Sequence, residues 1–164
     1  MSPSEILIRP AVRSDGEALL SLIDALADYE KLAKPDAAAR VRLIEDAFGK
    51  NQRIEVFLAE VEGKPVAYSV VFETYSSFLA LPTLYLEDIF VLPEYRGRQV
   101  GHRLFVHCVH EAYERGCGRM EWAVLDWNRP AINFYERAGA RRLEEWLYYR
   151  LLRPEMEKLI QKRN

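Results

Sequence analysis

The sequence predicts an α/β fold: a mixed β-sheet covered by helices, in the order βααβββαβαβ. Two observations predict it. From Leu19 to Phe48 the apolar residues recur at helical spacing, whereas after Ile54 strand-like runs set in. A helical segment also separates two of those runs, the kind of crossover that a parallel pair of strands requires. The 164 residues approach the usual size of one domain. No repeat, low-complexity tract or linker interrupts them, so residues 1–164 read as a single domain.

"EILIRP" (Glu5–Pro10) is a short strand stopped by its proline. Leu19, Leu20, Leu22, Ile23, Leu26 and Ala27 mark a helix, with Ser14 as N-cap and Glu17 as its capping-box partner. "AARVRLIEDAFG" is a second helix ended by Gly49. "IEVFLAEVEGKPVAYSVVFETY" forms two strands around a Glu62-Gly63-Lys64 turn. In "TLYLEDIFVL" (Thr83–Leu92), strict alternation puts Leu84, Leu86, Asp88 and Phe90 on one face. Tyr85, Glu87, Ile89 and Val91 fall on the other, so each face carries a carboxylate. Leu104, Phe105, Cys108, Val109, Ala112 and Tyr113 stripe a helix that Gly116 ends. "RMEWAVL" is the next strand. "NRPAINFYERAG" is a short helix capped by Asn128, with Pro130 in its first turn, and "WLYYRLL" is a last strand. The tail "RPEMEKLIQKRN" is basic and helical in pattern.

Lysine and arginine number 23 against 25 aspartates and glutamates, a net charge of −2, and the cations are dispersed. That distribution argues against a nucleic-acid or anionic-membrane partner, since either needs clustered positive charge. No apolar run approaches the roughly 18 residues of a membrane span. "MSPSEILIRP" lacks the basic and long apolar regions of a signal peptide. Cys108 and Cys117 make a poor disulfide framework, which points to a reducing cytoplasm. His107, Cys108 and His110 invite a metal reading, but Cys108 projects away from the histidines and no second cluster completes a zinc site. No metal is expected.

Chemistry enters at "PEYRGRQVGHRLF", where a strand hands over to a helix. A helix N-terminus offers unpaired N–H groups and a partial positive charge, and Gly97 and Gly101 let a bulky anion approach the backbone. The mononucleotide loop G-x-x-x-x-G-K-S/T fails because His102 follows the second glycine, and G-x-G-x-x-G is absent. "LYLEDIFVLPEYRGRQVGHRLF" followed by "WNRPAINFYERAGA" resembles the GCN5-related N-acetyltransferases (GNAT). With "DYE" at 28–30 it is most similar to their spermidine/spermine and thialysine branch, from "IRPA" through "WLYYRL".

The resemblance implies a GNAT-like, mostly antiparallel sheet flanked by helices, with a strand–loop–helix pyrophosphate cradle. It implies acetyl-CoA as cofactor and a cytoplasmic homodimer acting on a small-molecule amine. Cofactor positions carry over to Ile89, Phe90 and Val91 along the strand, then to Arg96, Gly97, Arg98, Gln99, Val100, Gly101 and His102 in the loop. Asn128, Pro130 and Ala131 complete them. Gln99 departs from the family pattern Q/R-x-x-G-x-G/A by replacing its first glycine. A positive φ there would cost a non-glycine roughly 1–2 kcal/mol.

Acetyl transfer needs a neutral amine, and deprotonating an alkylammonium at pH 7 costs about 4–5 kcal/mol. Glu87 is the candidate base, with Asp88 on the opposite face unless a bulge brings both into play. By resemblance Tyr135 is the acid that protonates the leaving thiolate, and a backbone N–H near Ile89–Val91 serves the oxyanion. The resemblance also implies that Tyr29, Glu30 and Trp122 lie at the acceptor site, where with Glu87 and Asp88 they would line an acidic, aromatic pocket for a polyamine, diamine or lysine-like amine. No nucleophile stands nearby, so direct transfer in a ternary complex follows. Plainer readings stay open: Glu87 and Asp88 as sheet-end carboxylates paired with arginines, Tyr135 as a core residue, or the chain as a non-catalytic acyl-CoA-binding module.

Overall fold

The computed structural model describes residues 5–162. Its elements are β1 (Ile6–Pro10), α1 (Gly16–Glu30), α2 (Ala37–Phe48), β2 (Glu55–Val61), β3 (Lys64–Ser76), β4 (Leu81–Val91), α3 (Val100–Glu114), β5 (Arg119–Glu121), α4 (Arg129–Arg137) and α5 (Arg153–Gln161). The strands form one sheet in the order β1-β2-β3-β4-β5. The first three pairings are antiparallel and β4–β5 is parallel, joined through α3. The expected mixed, mostly antiparallel sheet is what forms. The chain divides into two compact units, one up to Ala123 and the other from Val124.

In the first unit, α1 and α2 cover one sheet face. Leu19, Leu22 and Ala47 pack there on Val56, Leu58, Tyr68, Val70 and Phe90. The helix α3 packs against β3 and β4, and Cys108 Sγ meets Ser69 Oγ at 3.4 Å in a buried contact. The β2–β3 turn has positive φ at both Glu62 (54°) and Gly63 (74°), as a tight hairpin with right-handed strand twist demands. Asp36 caps α2 by accepting the Ala39 N–H at 2.7 Å.

Three expectations are corrected. The helix α1 begins at Gly16, after a 3-10 turn at Arg13–Asp15, and the Ser14–Glu17 box does not form. Asp15 stands at the cap, but its carboxylate is committed to Arg9 at 2.8 Å and to the Val12 N–H at 2.7 Å. The faces of β4 do not alternate strictly, for a reason that belongs to the site below. "WLYYRLL" forms no strand, and Trp146 and Tyr149 are 74% and 87% exposed. Aromatic residues favour a strand only where a neighbouring strand supplies the hydrogen bonds; among the described residues no strand pairs with this run.

Candidate active site

The β3–β4 register places Val70 opposite Asp88 but Val71 opposite Leu86, leaving Glu87 as the extra residue of a β-bulge. The bulge turns Asp88 and Phe90 to the α1–α2 face, while Leu86 stays with Val71 on the α3 face. Leu84, Leu86, Asp88 and Phe90 therefore do not share a face. Glu87 projects into solvent and Asp88 is partly buried beside it.

Asp88 Oδ2 accepts a hydrogen bond from the hydroxyl of Tyr68 at 3.2 Å. Burial pushes the Asp88 carboxyl up to about 6, and the charges of Glu87 and Glu30 push the same way against the Tyr68 hydrogen bond. Burial also raises the Tyr68 hydroxyl and the Glu30 carboxyl. Glu30 ends α1, so the end of that helix and the bulge bring three carboxylates into one electrostatic group. Tyr68 was not among the sequence candidates. Only the register, which puts it opposite Phe90, brings its hydroxyl to Asp88.

The edge of β4 is open next to this group. β5 pairs with β4 only across Thr83–Tyr85, so Leu86–Val91 has no strand partner on that side among the described residues. Leu92 N–H donates to Val66 O at 3.0 Å, toward β3. Antiparallel alternation then aims the N–H and C=O groups of Val91 and Ile89 out toward the open edge.

Beyond it, the loop has positive φ at Gly97 (74°) and at Gln99 (69°). Gln99 does occupy a left-handed position, as the family glycine would. Gly101 is needed for proximity instead: a Cβ there would meet Val91 Cγ2 at 3.3 Å. Gln99 gives α3 no side-chain cap, so the first-turn amides of Val100 and Gly101 remain available to an anion. This donor set and open strand edge fit a pyrophosphate carried on an extended amide-bearing arm.

Other candidates have definite places. Arg96 lies over Tyr29 and Phe90, and Arg98 lies over the Tyr95 ring at 5.5 Å. His102 borders a shallow groove with Ile8, Arg103, Val106, His107 and His110. Trp122 packs edge-on against Phe105 of α3, centroids 5.4 Å apart, so its described contact is away from the carboxylates. In the second unit, Asn128 Oδ1 accepts the Ala131 N–H at 3.4 Å, capping α4 as expected, with Pro130 in the first turn. Tyr135 on α4 stacks edge-on with Phe134 at 5.3 Å.

The model of the acetyltransferase (GNAT) family matches residues 19–140. The chain belongs to the GNAT acetyltransferase family. It is 36% identical over 150 residues to a thialysine N-epsilon-acetyltransferase of Sus scrofa, covering 87% of this chain and 88% of that one. The Mus musculus protein of the same name is 34% identical over 154 residues, covering 87% and 90%. Among solved structures, an aminoglycoside N-acetyltransferase in complex with CoA superposes with a TM-score of 0.75 at 22% identity, covering 90% and 95%. That last likeness carries the fold. The GNAT protein described here is accordingly an enzyme, an acetyl-CoA-dependent N-acetyltransferase acting on amines.

Proposed function

We propose that this enzyme acetylates a primary amine of a small cationic acceptor, a lysine-like amine such as thialysine, a diamine or a polyamine, by direct transfer in a ternary complex. The observation that carries the reading is the grouping of Glu30, Glu87 and Asp88 at the bulge, beside the open edge of β4. A group of carboxylates favours a cationic acceptor, and the thialysine acetyltransferases to which the chain is similar support the lysine-like end of that range.

Acetyl-CoA supplies the acetyl thioester. The amides of Val100 and Gly101, with the backbone of Gly97–Gln99, would hold its pyrophosphate, and the outward groups of Ile89, with the Val91 N–H, would pair with its arm. Asp88, with its carboxyl at about 6, is ionised at neutral pH yet basic enough to take an amine proton, directly or through water with Glu87. Tyr135 as proton donor to the thiolate, and Asn128, Pro130 and Ala131 as cofactor contacts, rest on the motif resemblance. The homodimer belongs to the same reading, and the exposed apolar run from Trp146 to Leu152 supports it.

The test is thiol release from acetyl-CoA with putrescine, spermidine, spermine, lysine, thialysine, an aminoglycoside and a basic peptide. A rate with one small cationic amine well above hydrolysis is expected. Acetylation of the peptide or aminoglycoside alone would overturn the substrate class. CoA binding with no turnover of any acceptor would favour the non-catalytic module.

A further inference from the structure

Arg96 opens the glycine loop, where an arginine is expected to face the cofactor phosphates. Its side chain is engaged elsewhere. The guanidinium carbon lies 4.6 Å from the centroid of the Tyr29 ring and 5.4 Å from that of Phe90. Its Nε donates to the Val91 carbonyl at 3.0 Å. The two rings are themselves 6.3 Å apart and tilted by 50°. One planar cation thus joins the last turn of α1, the end of β4 and the loop that leads into α3. The end of α1 has reason to need such a tie: the chain leaves it through Lys31 in the left-handed conformation (φ 58°).

We propose that the Arg96 side chain positions the amine acceptor, holding Tyr29 and the adjacent Glu30 against β4, while the loop backbone serves the cofactor. The proposal rests on the reading above that Tyr29 and Glu30 border the acceptor. The chemistry selects arginine over lysine. A guanidinium stacks flat on a ring and keeps a directed Nε–H for the carbonyl, whereas an ammonium is a point charge on a flexible stem. Arg96 is exposed, so its replacement leaves the core intact.

The experiment compares Arg96→Ala, Arg96→Lys, Tyr29→Leu and the double variant Arg96→Ala/Tyr29→Leu. CoA affinity is measured by calorimetry, KM and kcat for the acceptor by thiol release, and stability by urea unfolding. Both Arg96 variants are expected to raise the acceptor KM about tenfold, with CoA affinity within about threefold of the parent. The double variant is expected to be no worse than Tyr29→Leu alone, and the two losses of stability to be non-additive. A tenfold or greater loss of CoA affinity with the acceptor KM unmoved would make Arg96 a phosphate ligand and overturn the proposal. If no amine is turned over, the substrate reading fails separately. The unfolding cycle then still decides the clamp, since additive losses would refute it.

Discussion

Replacing Asp88 by asparagine should make the protein more stable and less active. The carboxyl sits at about 6 in the folded chain against an ordinary 3.8. At about 1.4 kcal/mol per pH unit, holding it ionised costs at most about 3 kcal/mol. Its partial exposure brings the expected figure to about 1–3 kcal/mol. Between pH 4 and 6 the folded state keeps a proton that the unfolded state releases. Stability therefore falls as pH rises through that window and is level above it. Asparagine has no charge to desolvate, and its amide oxygen can still accept from Tyr68. Urea unfolding of parent and Asp88→Asn at pH 4.5 and 7.5 checks this. The variant should gain about 1–3 kcal/mol at pH 7.5 and much less at pH 4.5. A variant less stable at pH 7.5, or a gap independent of pH, would refute the reasoning. If Asp88 takes the amine proton, the same change should lower kcat/KM by about a hundredfold or more.

Gln99→Gly should stabilise the fold by up to about 1 kcal/mol, since the left-handed penalty outweighs glycine's extra chain entropy, whereas Gln99→Val should destabilise it by about 1–2 kcal/mol; urea unfolding distinguishes them. Gly101→Ala should change stability by less than about 1 kcal/mol, because crowding at Val91 Cγ2 offsets the better helix former, yet it should weaken CoA binding severalfold by calorimetry. In a thiol-labelling assay at pH 8, Cys117 should react in the folded protein. Cys108, fully buried with its thiol pushed up to about 11, should wait for denaturant.

The elements that could be read from sequence are those whose signal is local. The apolar stripe of α3, the proline that stops β1, the Asn128 cap of α4 and the Glu62-Gly63 turn all depend on residues within a few positions of one another. The bulge is different in kind. Nothing in "YLEDIFV" marks Glu87 as the extra residue, because a bulge is a mismatch between two strands, fixed by the simultaneous demands of Leu86 against Val71 and Phe90 against Tyr68. For the same reason Tyr68 was hidden in a hairpin strand twenty residues before the carboxylate it serves. The run "WLYYRLL" failed in the opposite sense: strong local preference had no ladder to join.

The plainer account of Glu87 and Asp88, as sheet-end carboxylates paired with arginines, meets an internal control. Several of this protein's structural carboxylates are paired with arginine. Asp15 and Glu60 share Arg9 at 2.8 and 2.6 Å, and Arg115 bridges Glu55 and Glu111. Among the described residues, Glu30, Glu87 and Asp88 have no such ion pair. Asp88 has a neutral hydroxyl as donor and like charges as neighbours, an arrangement that costs stability instead of adding it. A carboxylate held at that cost on a bulge, beside an open strand edge and an uncapped helix start, is better explained by the proton and the cationic amine it would handle than by any contribution to the fold.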